Sequence, residues 1–174
     1  MTSASDPSHR TAQLLQRLRR IDTASLCDAN KALRVFPSGI RPLVRGQRMA
    51  GRAVTAAANG DLMSVIGGLE LGGADDVLVI SAGVDGLAVA GELFGTEAFR
   101  RGMSGVVIDG LCRDTAALAR LGMPFYSRGS VPKAPPALKV PEVQVPLMIR
   151  LSLSLGMGAS CVIFCMLMIV LKQS

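Results

Sequence analysis

The chain has 174 residues, enough for one domain with a substantial core, and 49% of them are apolar while only 3% are aromatic. Its core must therefore be built from Val, Leu, Ile, Ala and Met, since Trp is absent. The formal charge of +6 is concentrated in residues 1–60, which hold ten basic and three acidic side chains. The arginines there are mostly isolated and carry little interleaved aromatic surface for base stacking, which argues against a specific nucleic-acid site and for a solvated basic face or a subunit contact.

The four cysteines, Cys27, Cys112, Cys161 and Cys165, form no CxxC pair, and His9 is the single histidine. That pattern argues against a zinc site and for reduced thiols in a cytoplasmic protein. The first twenty residues lack the apolar run of a secretory signal.

In chain order, Leu14, Leu15, Leu18 and Ile21 recur at helical spacing and predict a helix over 10–21. Asp22 or Thr23 offers an N-cap for a second helix running to about residue 33. Pro37, Ser38 and Gly39 mark a loop. A strand is predicted over 51–57, a helix over 62–71 ending at Gly72-Gly73, and a buried strand over 76–81. A helix follows over 88–101, then a buried strand over 105–108. The segment 113–121 reads as a helix closed by Gly122 and Pro124, and 125–127 as a strand. Residues 131–146, rich in Pro and Lys, read as a loop or sheet edge. Helices alternating with continuously apolar strands indicate an α/β fold with a largely parallel central sheet.

The candidate site lies between residues 91 and 129. Glu92 stands near a predicted helix start, where unpaired N–H groups and the helix dipole can hold an anion. Arg113 is a bidentate partner for a carboxylate, and Asp114 a hard oxygen ligand for Mg²⁺ or Mn²⁺. Glu92 can hydrogen-bond the waters of such an ion. A 2-oxo acid suits this set. The same pattern also arises in an ordinary helix cap with a local ion pair. Asp28 and Asp109 read as cap and turn acids.

Gly91-Glu92, twenty intervening residues and Arg113-Asp114, with the segment 23–29, the strand 51–55 and the run 105–129, resemble the RraA-like family. That family holds metal-dependent 4-hydroxy-4-methyl-2-oxoglutarate aldolases and regulators of ribonuclease activity. The resemblance implies a swivelling β/β/α-type domain over residues 1–147, assembled as a trimer or a dimer of trimers with sites between subunits. It implies Asp114 as the metal ligand and, as catalytic groups, Glu92 and Arg113, the latter binding pyruvate and its enolate. It places the substrate carboxylate on the amides of Leu93 and Phe94, and Glu92 on metal-bound water. The implied reaction is cleavage of a 4-hydroxy-2-oxo dicarboxylate to pyruvate, with oxaloacetate decarboxylation as kindred chemistry. The alternative is a non-catalytic regulator that binds an RNA-degrading enzyme.

Two features depart from the family. Aldolase members commonly carry an acid three residues after the aspartate of Arg-Asp, where this chain has Ala117. Beyond about residue 147 the resemblance stops, and residues 148–174 form a divergent tail whose stretch 151–171 has no charge. By length and polarity that stretch is a transmembrane-helix candidate. A frameshifted or alternatively spliced end and an ordinary buried apolar terminus are the other two readings, and contact with a membrane follows only from the transmembrane reading.

Overall fold

A computed structural model describes residues 7–145, 147–149, 153–155, 160–165 and 167–172. Helix α1 (Pro7–Leu18) buries Leu15 and Leu18 against Ala50, as its periodicity predicts. Helix α2 (Thr23–Ala29) is capped by Asp22, whose carboxylate accepts from the N–H groups of Ala24 (3.0 Å) and Ser25 (3.3 Å). It ends at Asn30, short of the predicted residue 33. Two short strands, β1 (Arg34–Val35) and β2 (Arg41–Pro42), flank the predicted loop.

The centre of the molecule is four parallel strands side by side: β3 (Met49–Ala57), β4 (Asp76–Ser81), β6 (Gly105–Asp109) and β8 (Phe125–Ser127). Every residue of β4 and β6 is buried, which is why they read as unbroken apolar runs. Alternate side chains serve two cores. Leu78, Ile80, Val106 and Ile108 face α3 (Met63–Leu71), α4 (Glu92–Arg100) and α5 (Thr115–Arg120), with Val65, Ala98 and Leu118 packed on them. Val77, Val79, Val107 and Tyr126 face the other way, beneath Phe36 and Ile40.

A second, smaller sheet sets the position of the site. It consists of β5 (Ala88–Ala90), β7 (Leu111–Cys112) and β9 (Gly129–Ser130), in the order β5-β7-β9 and parallel throughout. Each of β4, β6 and β8 thus passes directly into a strand of the small sheet, and the first two then enter a helix. This is the β/β/α repeat that the resemblance implies. The predicted helix over 88–101 is corrected accordingly: its first three residues are a strand. Ala88, Val89 and Ala90 are all buried beside β7, and that tertiary pairing overrides their helix propensity.

The antiparallel additions lie at the edges. Strand β2 pairs with β8, and β12 (Ser160–Cys165) pairs with β3 at Arg52↔Cys161 through Met49↔Phe164. Strand β13 (Leu167–Lys172) pairs with β12 and with β1, while β10 (Leu147–Ile149) and β11 (Leu153–Leu155) form a separate ribbon. The sheet is therefore mixed, with a parallel centre. Of the stretch 151–171, residues 151, 152, 156–159 and 166 lie outside the described residues. Its described parts are strands where a transmembrane helix was one reading. Among the described residues no helix is long and apolar enough to cross a membrane.

Candidate functional site

Pairing of β5 with β7 brings the two halves of the site together. Ala90 sits opposite Cys112, so the residues that follow each strand, Gly91-Glu92 and Arg113-Asp114, emerge as neighbours although twenty residues separate them. The Arg113 N–H donates to the Ala90 carbonyl at 2.9 Å and extends the ladder one step past the strands. Beyond it the chain turns through Asp114, which adopts a left-handed conformation (φ 56°, ψ 38°) at the N-cap of α5. Aspartate is among the few non-glycine residues that tolerate this region. The Asp114 carbonyl then accepts from the N–H groups of Ala117 (2.9 Å) and Leu118 (3.0 Å), which starts the helix.

The Asp114 side chain reaches back across the gap. Its Oδ2 accepts the Glu92 N–H at 3.2 Å and lies 3.4 Å from Arg113 Nε. One carboxylate therefore ties the first amide of α4 to the Arg113 guanidinium. Both side chains stay about half exposed, at 45% for Arg113 and 42% for Asp114. Gly91 makes this approach feasible. A Cβ there would stand 2.5 Å from Asp114 Oδ2 and 2.7 Å from Arg113 Cγ. The first turn of α4 presents the amides of Leu93 and Phe94, which by helix geometry have no carbonyl four residues back, whereas the Gly95 N–H is already bonded to the Gly91 carbonyl at 2.9 Å. Leu93 and Glu92 are exposed at this helix start.

The structure thus gathers Glu92, Leu93, Phe94, Arg113 and Asp114 at one place, on two helix starts at the carboxyl ends of small-sheet strands. Asp109 and Asp28 are elsewhere in role. Asp109 is buried at the end of β6 and accepts from Arg128 Nε, pinning β6 to the β8–β9 junction. Asp28 is exposed and paired with Lys31 at 2.5 Å. Ala117 stands half-buried in the first turn of α5 and offers no ligand atom. Beneath the site, burial pushes the Cys112 thiol above the usual cysteine range, and the thiol donates to the Gly129 carbonyl at 3.4 Å. Sequence reading passed over two features: the left-handed turn at Asp114 and the small strands that align it. Strands of two or three residues carry no periodicity to read.

Residues 23–153 match the family profile described as RraA-like, Aldolase/RraA. The chain belongs to the RraA-like family. Among its relatives is a protein of Halalkalibacterium halodurans, provisionally named 4-hydroxy-4-methyl-2-oxoglutarate aldolase. It is 30% identical over 142 residues, an alignment that takes in 80% of this chain and 68% of the relative. A relative of the same provisional name from Albidiferax ferrireducens is 34% identical over 124 residues, covering 63% of this chain and 72% of its own length. In three dimensions the RNA-processing inhibitor RraA of Thermus thermophilis superposes with a TM-score of 0.78 at 26% identity, over 86% of this chain and 92% of that one. The RraA-like match ends at residue 153, a few residues beyond the boundary expected from sequence and at the start of the uncharged stretch.

Proposed function

We propose that this RraA-like chain is a divalent-metal-dependent lyase that cleaves 4-hydroxy-2-oxo dicarboxylates of the 4-hydroxy-4-methyl-2-oxoglutarate type to pyruvate, and that it also decarboxylates oxaloacetate. The observation that carries this reading is the meeting of open helix amides with Arg113 and Asp114 around Gly91. The provisional names of the curated relatives agree with it.

The donor set fits Mg²⁺ or Mn²⁺. Among the described residues no three His, Cys, Asp or Glu side chains converge into an all-protein cage. Mg²⁺ needs none, because it keeps most of its waters and takes one or two carboxylates. The contacts of the Asp114 carboxylate among the described residues go to Oδ2, so Oδ1 would be the atom offered to the ion, with Glu92 hydrogen-bonding its waters. When bound, the ion supplies Lewis-acid polarisation of the substrate's 2-oxo group.

The chain's own groups do the rest. The amides of Leu93 and Phe94 hold the substrate carboxylate at the positive end of α4. Arg113 donates to the oxygen on which negative charge grows as the C–C bond breaks and its electron pair passes into the pyruvate enolate. Asp114 keeps the guanidinium turned toward that oxygen. The substrate's hydroxyl proton leaves to water oriented by Glu92, and the enolate takes a proton back from water at its methylene carbon to give pyruvate. Assembly of this domain into trimers or hexamers, with sites completed between subunits, is part of the same proposal.

The test is pyruvate release from 4-hydroxy-4-methyl-2-oxoglutarate and from oxaloacetate, followed with Mg²⁺ and with EDTA. Release that EDTA abolishes and Mg²⁺ restores supports the lyase. The second reading, a non-catalytic regulator of RNA degradation, is favoured by Ala117 and by the likeness to the inhibitor RraA. Folded protein that releases no pyruvate under either condition, yet inhibits an RNA-degrading endonuclease, would establish it instead.

A further inference from the structure

A cavity of about 720 Å³ opens on the face of the central sheet opposite α3, α4 and α5. Among the described residues its apolar walls are Val35, Phe36, Ile40 and Pro42, and its polar lining includes Arg41 and Arg45. Phe36 and Ile40 belong to the second core, so one wall of the cavity is fixed by packing on Val77, Val107 and Tyr126. Pro42 is held by strand pairing with Tyr126. The volume falls within the roughly 300–1,000 Å³ typical of small-molecule sites.

The charges decide what suits it. Three other arginines of the same basic segment have carboxylate partners: Arg19 with Asp75 at 2.5 Å, Arg52 with Asp76 at 2.9 Å and Arg48 with Asp22 at 3.8 Å. Arg41 and Arg45 have none among the described residues. Two unpaired guanidinium groups beside an apolar wall complement a molecule with an anionic head and an apolar body. A compact 2-oxo dicarboxylate would leave that wall unfilled.

We infer that this cavity is a second binding site, separate from the Arg113–Asp114 site, for an amphipathic carboxylate such as a medium-chain fatty acid, with Arg41 and Arg45 receiving the head group. The probe is decanoate, titrated calorimetrically into the full chain below its micelle concentration, beside uncharged decanol. Both arginines are exposed, so Arg41→Gln/Arg45→Gln leaves the cores intact, which circular dichroism checks. One decanoate per chain is expected, bound at least tenfold more weakly by the double variant and at least tenfold more tightly than decanol. Asp114→Asn should bind decanoate as the parent chain does. Absence of saturable binding to the folded chain would overturn the inference, as would equal binding by the double variant. Loss of binding in Asp114→Asn would move the ligand to the other site. A changed oligomeric state in the double variant with no decanoate bound would give the face to a second copy.

Discussion

At position 91 the site has no room for a side chain. A methyl group there would displace Asp114 Oδ2 or the Arg113 stem, each within 3 Å of the added atom. Gly91 has extended backbone angles (φ −156°, ψ −158°), so the demand is for space and not for unusual torsion. Gly91→Ala should therefore lower pyruvate release at least tenfold while costing only about 1 kcal/mol in stability, which steady-state assays and urea unfolding together would show. Glycine before Glu92 was visible in the sequence as part of a motif. Its reason was not, because the atoms it must avoid lie more than twenty residues further along the chain. Cys112, two residues before Asp114, is a contrasting case. Burial raises its thiol pKa, so little thiolate forms at neutral pH. Iodoacetamide should label the half-buried Cys27 well before Cys112 in the native chain, and both alike in denaturant, as peptide mass mapping would reveal.

Among the elements, α4 and α5 carry the two halves of the site and must hold a fixed spacing. They meet where Gly95 faces Leu118; a Cβ at Gly95 would lie 2.4 Å from Leu118 Cδ2. Leu118 is fully buried, so Leu118→Ala leaves a cavity between the helices and should cost about 2–5 kcal/mol. Urea denaturation measures that cost, and a lowered pyruvate rate in the still-folded fraction would show that helix spacing sets site geometry. The long elements were legible: α1, α3, β4, β6 and the body of α4 follow from apolar periodicity or unbroken apolar runs. The short ones were not. Ala88-Val89-Ala90 continues smoothly into a helical pattern, and only the partner strand β7 makes it extended. Because β5 and β7 align Gly91 with Arg113, the candidate residues could be named from sequence while their contact could not be derived from it.

Over the whole molecule, the parallel centre depends on what covers its margins. Strand β3 would expose its outer edge from Met49 to Arg52 without β12. A chain ended after residue 155 should lose that cover and associate edge to edge, seen as a heavier, broader species in size-exclusion chromatography with light scattering. An unchanged monodisperse profile would show that β12 and β13 are dispensable. The tail was the least legible part of the sequence, since uncharged apolar runs suit a membrane helix, a buried strand or an out-of-frame end equally. Backbone pairing with β3 and β1 is what distinguishes the described stretches as strands.

The lyase reading meets its most direct test at Asp114. Asparagine tolerates the same left-handed turn, so Asp114→Asn keeps the fold of the α5 cap and removes only the charge offered to the metal and to Arg113. The measurement is the rate of pyruvate release from 4-hydroxy-4-methyl-2-oxoglutarate at saturating Mg²⁺, for the parent chain and for this variant. The expected result is EDTA-sensitive turnover in the parent and a loss of roughly 10²–10³-fold in Asp114→Asn. A variant that turns over at the parent rate would contradict the assignment of Asp114 and, with it, the site.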